Sequence, residues 1–225
     1  MVKEGRAAGR QTTSADTSVA HHPASGGAVP GSVAPHEPPR LRIRYEKEIV
    51  PALMKRFGFT NRLAVPRLRK IVLNMGCGEA AHDAKVLEQA QSDLAMITGQ
   101  KPVVTRAKIA VSNFRIKEND PVGCKVTLRR DRMYEFFDRL ITVALPRIRD
   151  FRGVPRRGFD SAGNYSFGIR EQSIFGELNL DEVHYTLGMD IIVVTDAKRQ
   201  DVAMALLEGF GLPFEKASGS RGTTG

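Results

Sequence analysis

Apolar and polar positions alternate along this chain with two periods, and the switches between them mark out its elements. Residues 41–57 place Ile49, Leu53 and Phe57 at i, i+4 and i+8, which predicts a helix stopped by Gly58. Pro51 either kinks that helix or opens the first turn of a second piece. Ile71-Val72-Leu73-Asn74-Met75-Gly76 reads as a strand. Residues 83–98 return to helical period, with Val86, Leu87, Ala90, Leu94 and Ile97 on one side and Gly99 as the stop.

The segment 99–132 predicts a strand hairpin. Val103-Val104-Thr105 leads into an apolar run at 109–116. A polar turn follows at 117–123, and Cys124-Lys125-Val126-Thr127-Leu128 returns. Neighbours in a strand point to opposite faces, so Lys125, Thr127 and Arg129 share one face and Val126 and Leu128 take the other. Asp131 is placed to cap a third helix, whose stripe is Met133, Phe136, Phe137, Leu140, Ile141, Ala144 and Ile148. Strands at 165–169 and 188–195 and a helix at 201–210, closed by Gly211 and Pro213, complete the pattern. The hairpin breaks regular βα alternation. The expected fold is therefore α+β: a mixed, mainly antiparallel sheet with helices packed on one side.

Composition sets the domain limits. Residues 1–39 are rich in Ala, Gly, Ser, Thr and Pro and nearly lack large apolar residues, so they are expected to be disordered. Residues 40–216 are expected to form a single domain and 217–225 a flexible tail. The N-terminal stretch has no continuous apolar region of the secretory kind, and its three bases are matched by three acids, unlike a transit peptide. His21, His22 and His36 lack the Cys or spaced carboxylates of a metal site. Cys77 and Cys124, far apart and in apolar settings, read as buried thiols of a reducing compartment.

Charge then changes the picture. The formal net charge is +9, but residues 40–157 hold 26 bases against 12 acids, while 158–198 hold two against seven. Segment 99–132 alone holds nine Lys or Arg against three acids. One basic working surface calls for a polyanion, either nucleic acid or an anionic membrane; no apolar run is long enough to span a bilayer. Arg147, Arg149, Arg152, Arg156 and Arg157 cluster beyond the third helix. A helix dipole accounts for the first two at most, and phosphate contact suits the others. Phe114 and Phe151, each beside an Arg, could stack on bases, although core packing is the stronger expectation. Catalytic equipment is sparse. Gly76-Cys77-Gly78 lacks the third glycine of a dinucleotide loop, no phosphate-cradling lysine loop occurs, and His82 and His184 have no suitable partners. Binding is favoured over catalysis, and no cofactor is expected.

From Leu73-Asn74-Met75-Gly76 onward the chain resembles the bacterial-type L-five (uL-five) family of large-subunit ribosomal proteins. The likeness runs through Gly99-Gln100-Lys101-Pro102, Thr105-Arg106-Ala107-Lys108, Pro121-Val122-Gly123-Cys124-Lys125-Val126-Thr127-Leu128-Arg129 and Ala144-Leu145-Pro146-Arg147-Ile148-Arg149-Asp150-Phe151-Arg152-Gly153. It continues at Gly163-Asn164-Tyr165, Arg170-Glu171-Gln172, Gly188-Met189-Asp190-Ile191 and Leu212-Pro213-Phe214, covering about residues 41–216. The resemblance implies a structural role without catalysis in the cytoplasm, bacterial rather than organellar. It implies binding to 5S rRNA and 23S rRNA, and contact with the peptidyl-site tRNA, with other 5S-binding proteins and with a small-subunit head protein of the S-thirteen family. On this resemblance Asn74, Gln100 and Thr127, with Lys101, Lys125 and Arg129, would meet 5S rRNA. A tip carrying Lys108, Ser112, Asn113, Arg115 and Lys117 would face tRNA. Arg147, Arg149, Arg152, Arg156 and Arg157 would meet other rRNA or protein. Four positions depart from the family pattern: Ile109-Ala110 replaces Lys-Ser, Gly176 replaces the Pro of Phe-Pro-Glu with a looser turn expected, and Leu187 replaces an Arg. A nucleic-acid-processing enzyme and a general anionic-surface binder are the alternatives.

Overall fold

The computed structural model describes residues 37–78, 83–179, 181 and 183–215. The expectations for 1–36 and 216–225, and His21, His22, His36 and His82, lie outside them. The chain enters through α1 (Arg40–Arg44), passes a π-type turn at Tyr45–Ile49 and continues as α2 (Val50–Phe57). The backbone stays right-handed helical from α1 through the π-type turn into α2, so Pro51 follows a widened turn without ending the helix, and Gly58 closes it at φ 71°. There follow β1 (Leu68–Gly76), α3 (Ala84–Thr98), β2 (Val103–Arg106), β3 (Pro121–Leu128), α4 (Arg130–Arg139), β4 (Tyr165–Ile169), β5 (Met189–Thr195) and α5 (Gln200–Phe210).

The five strands form one sheet in the order β2-β3-β1-β5-β4, and every pairing is antiparallel. The fold is thus α+β as expected, with no parallel pair among its described strands. β1 is central, and Ile71, Leu73 and Met75 on its inner face are fully buried. They meet Leu94 and Ile97 of α3, Phe136 and Phe137 of α4, and Leu206 and Phe210 of α5 in one core. Each such side chain contributes roughly 1.5–3 kcal/mol by leaving water. Phe210 joins the helices: its ring lies 5.9 Å from Tyr45, 6.1 Å from Tyr134 and 5.7 Å from Phe137.

Two local expectations fail. Residues 109–116 are not a strand: β2 ends at Arg106, and 107–120 form a long tip with a 3-10 turn at Ser112–Phe114. The apolar residues there find no cover, since Ile109 is 75% and Phe114 70% exposed, so Phe114 is not a core residue. Only Val111 and Ile116 pair, across their own small loop. Nor does Asp131 cap α4. Arg129 holds the cap position without a side-chain bond, and Asp131 lies in the first turn, paired with Arg42 at 3.0 Å.

The approach to β5 depends on a buried side chain. Gln172 donates through Nε2 to the Tyr185 carbonyl at 2.6 Å and to Asp93 Oδ2 at 3.3 Å, and its Oε1 accepts from the Leu187 N–H at 2.6 Å. Asp93, also buried, accepts a second amide from Gln89 at 2.7 Å. Replacing Gln172 by Leu strands these groups in the core. The expected loss is about 3 kcal/mol, read as a lower urea midpoint with an unchanged m-value.

Candidate nucleic-acid interface

Among the described residues the helices cover one face of the sheet and leave the other open, and the register fixes what it presents. One row across the strands reads Val103, Lys125, Asn74, Asp190, Gly168. The next reads Thr127, Val72, Ile192, Ser166, and beyond it Lys70 stands beside Val194. Rows two residues apart lie roughly 7 Å from each other and strands about 4.8 Å apart. Asn74 and Thr127 are therefore diagonal neighbours on one face. Gly99, at φ 65°, ends α3 and turns the chain into Gln100 and Lys101. The Gln100 N–H is tied to Thr98 Oγ1 at 3.3 Å. Since Val103 lies opposite Lys125 and β2 runs antiparallel to β3, residues 100–102 run alongside the end of β3 that carries Thr127 and Arg129. Thr127, Lys101, Lys125 and Arg129 are exposed, and Asn74 and Gln100 are half-buried. None of the four cations here (Lys70, Lys101, Lys125, Arg129) makes an ion pair among the described residues.

Sequence reasoning finds the β3 side of this face and misses the β5 side. Lys70, Val72, Ile192 and Asp190 also belong to it. The period-two parity of Asn74 is enough to place Lys70 and Val72, but only the pairing of β1 with β5 brings in Asp190. The face is therefore mixed in charge and part aliphatic.

The tip is a closed loop, and its exposed residues include Lys108, Ser112, Asn113, Arg115 and Lys117. Its neck is fastened by Ala107 N–H to the Asp120 carbonyl, Asn119 N–H to the Ala107 carbonyl, both 2.9 Å, and Arg106 Nη1 to the Asn119 carbonyl at 2.9 Å. Asp120 Oδ2 accepts from the Lys117 N–H at 2.7 Å. Arg115 adopts φ 53°, a left-handed turn that closes the 3-10 segment.

The arginine cluster separates into unlike members. Arg149, Arg152 and Arg157 are exposed and have no partner among the described residues. Arg147 lies over Gly176: a Cβ there would come within 2.6 Å of Arg147 Nη1, so the residue that departs from the family pattern is covered by this guanidinium. Arg156 is exposed too, but is tied to the chain itself. Its Nε donates to the Glu215 carbonyl at 2.9 Å, and it lies 3.9 Å from Glu208. Tyr165 Oη holds the loop by donating to the Pro155 carbonyl at 2.8 Å.

Burial pushes the Cys124 thiol up to about 12 and raises Cys77 as well, so both are neutral core groups and not nucleophiles. Among the described residues no group of three or more His, Cys, Asp or Glu could hold a metal ion, and no helix is long and apolar enough to cross a membrane.

Two family models match the chain: ribosomal protein L5 over residues 61–117, and the C-terminus of the same ribosomal family over residues 121–214. Among curated relatives, the large ribosomal subunit protein uL5 of Caldanaerobacter subterraneus subsp. tengcongensis is 58% identical over 177 residues, 79% of this chain and 99% of the relative. That of Clostridium tetani is 57% identical over 78% of this chain and 98% of its own length. That of Thermoanaerobacter sp. is 55% identical over 79% and 99%.

The two neighbouring arginines should behave differently on substitution. Arg156→Ala is expected to lower stability by about 1 kcal/mol in urea melts, because it frees the 213–215 segment, whereas Arg157→Ala leaves the midpoint in place.

Proposed function

The chain belongs to the ribosomal protein L5 family, and from that premise we propose that it binds 5S rRNA through the open face of its sheet. It is a structural constituent of the large ribosomal subunit, not an enzyme, and works in the ribosome in the cytoplasm. One observation carries the 5S assignment: among the described residues Asn74 and Thr127 share an uncovered face, diagonal to each other, flanked by the cations Lys70, Lys125 and Arg129, which make no ion pair there, with Gln100 and Lys101 at its border. Uncharged hydrogen-bonding groups among free cations suit folded RNA, where 2′-hydroxyls and base edges lie between phosphates.

The remaining surfaces follow by position. The tip, with Lys108, Ser112, Asn113, Arg115 and Lys117, reaches beyond the sheet and meets the peptidyl-site tRNA. Arg147, Arg149, Arg152 and Arg157 meet 23S rRNA or a neighbouring protein, whether another 5S-binding protein or the small-subunit head protein of the S-thirteen family. Arg156 belongs to the same group; its Nε bond to the Glu215 carbonyl fixes where its guanidinium is presented.

Binding to 5S rRNA should weaken steeply with salt as counterions are released. Replacing Asn74, Gln100 and Thr127 together by Ala should cost at least about tenfold in 5S affinity with the salt slope unchanged, while Lys125→Gln should reduce the slope by about 0.9. Equal affinity for 5S rRNA and random duplex of the same length would reverse the assignment in favour of a general anionic-surface binder. Replacing Lys108, Arg115 and Lys117 by Ala should leave 5S affinity unchanged and weaken tRNA retention in the peptidyl site of assembled ribosomes.

A further inference from the structure

Asp190 stands in the same row of the open face as Asn74, beside it, and is exposed. It makes no ion pair and no side-chain hydrogen bond among the described residues. Lys125, on the far side of Asn74, is two strands away, roughly 10 Å, too far to neutralise it. Its other neighbour is Gly168, where a Cβ would lie 3.5 Å from Asp190 Oδ1, so the carboxylate rests over bare backbone.

A carboxylate within a surface that serves phosphates alone is a cost, since it repels the polyanion. The row makes sense as an ordered set of hydrogen-bonding groups. Lys125 only donates, Asn74 donates and accepts, and Asp190 only accepts. Phosphates offer acceptors and no donors, so Asp190 cannot be there for them. On the wide, shallow minor-groove side of A-form RNA, the donors are the exocyclic amino group of guanine and the ribose 2′-hydroxyl. Val72 and Ile192, half-buried in the adjacent row, give the sugar an aliphatic floor.

We infer that Asp190 is a specificity residue of the RNA face: its carboxylate accepts a hydrogen bond from a minor-groove donor of the bound RNA, while the flanking lysines serve the phosphates. The inference rests on the 5S rRNA reading and names what one position of that site recognises.

The test uses the full chain and 5S rRNA transcripts, titrated across a range of salt. Asp190→Ala, which removes the acceptor, should weaken binding by about tenfold or more, and Asp190→Asn, whose carbonyl oxygen still accepts, should lose less, both with the salt slope unchanged because no phosphate contact is lost. Two further transcript pools carry sparse inosine in place of guanosine, or sparse 2′-deoxy nucleotides, each marked for cleavage. Positions where substitution blocks binding to the unaltered chain should include one whose effect disappears with Asp190→Ala. Its presence in the inosine pool identifies the amino group, and in the deoxy pool the hydroxyl. If Asp190→Ala binds as tightly as the unaltered chain or more tightly, the carboxylate is only a repulsive bystander and the inference falls. It falls equally if the interference map is the same with and without the carboxylate. Failure of the unaltered chain to prefer 5S rRNA over random duplex is seen before any variant is compared, and overturns the underlying reading along with this one.

Discussion

The structure depends on the burial of one side of β1. Ile71, Leu73 and Met75 have no exposed surface, and they pack beneath helices that draw on nearly every later part of the chain. Side chains alternate along a strand with period two, so fixing these three inward fixes Lys70, Val72 and Asn74 outward. A slip of one residue would exchange the two sets, burying an amide and exposing core. The outward face therefore needs no separate device to present its polar groups. The large cost of disturbing the core maintains it.

That arrangement also explains why the face stays open. The helices of the core lie on one side of the sheet, and the register leaves Lys125, Thr127 and Asp190 exposed on the other. Gly123, facing Gly76 across the ladder, keeps one end of the face low. A Cβ at Gly123 would come within 2.4 Å of the Met75 carbonyl, so a larger residue could not be seated there without moving the backbone. The open face is accordingly smooth at the tip end and polar in its middle.

How far the sequence reveals this depends on the range of the interactions involved. Alternation within a single strand places Lys125 and Thr127 on one face, and the structure agrees. Helix ends marked by Gly58, Gly99 and Gly211 are legible because left-handed turns leave a local signature. Asp190 is not legible as a neighbour of Asn74, because that contact spans more than a hundred residues and exists only once β5 pairs with β1. Residues 109–116 mislead for the opposite reason. Their composition suits a strand, but no second layer reaches them, and Ile109 and Phe114 remain exposed. Arg156 and Arg157 look alike in sequence, and only the position of Glu215 and Glu208 makes one a tie and leaves the other free.

The segment around Phe214 has an implication for timing. Val154 and Phe214 form a parallel bridge, the Val154 N–H donates to the Pro213 carbonyl at 2.8 Å, and the Glu215 N–H donates to the Val154 carbonyl at 3.0 Å. Chains are synthesised from the N-terminus, so the loop at 153–157 emerges some sixty residues before the strap that fastens it. During that interval the loop has the Tyr165 bond to Pro155 but lacks the strap. Its arginines reach their final positions only after the strap has emerged, together with α5, whose Leu206 and Phe210 close the core beneath the sheet.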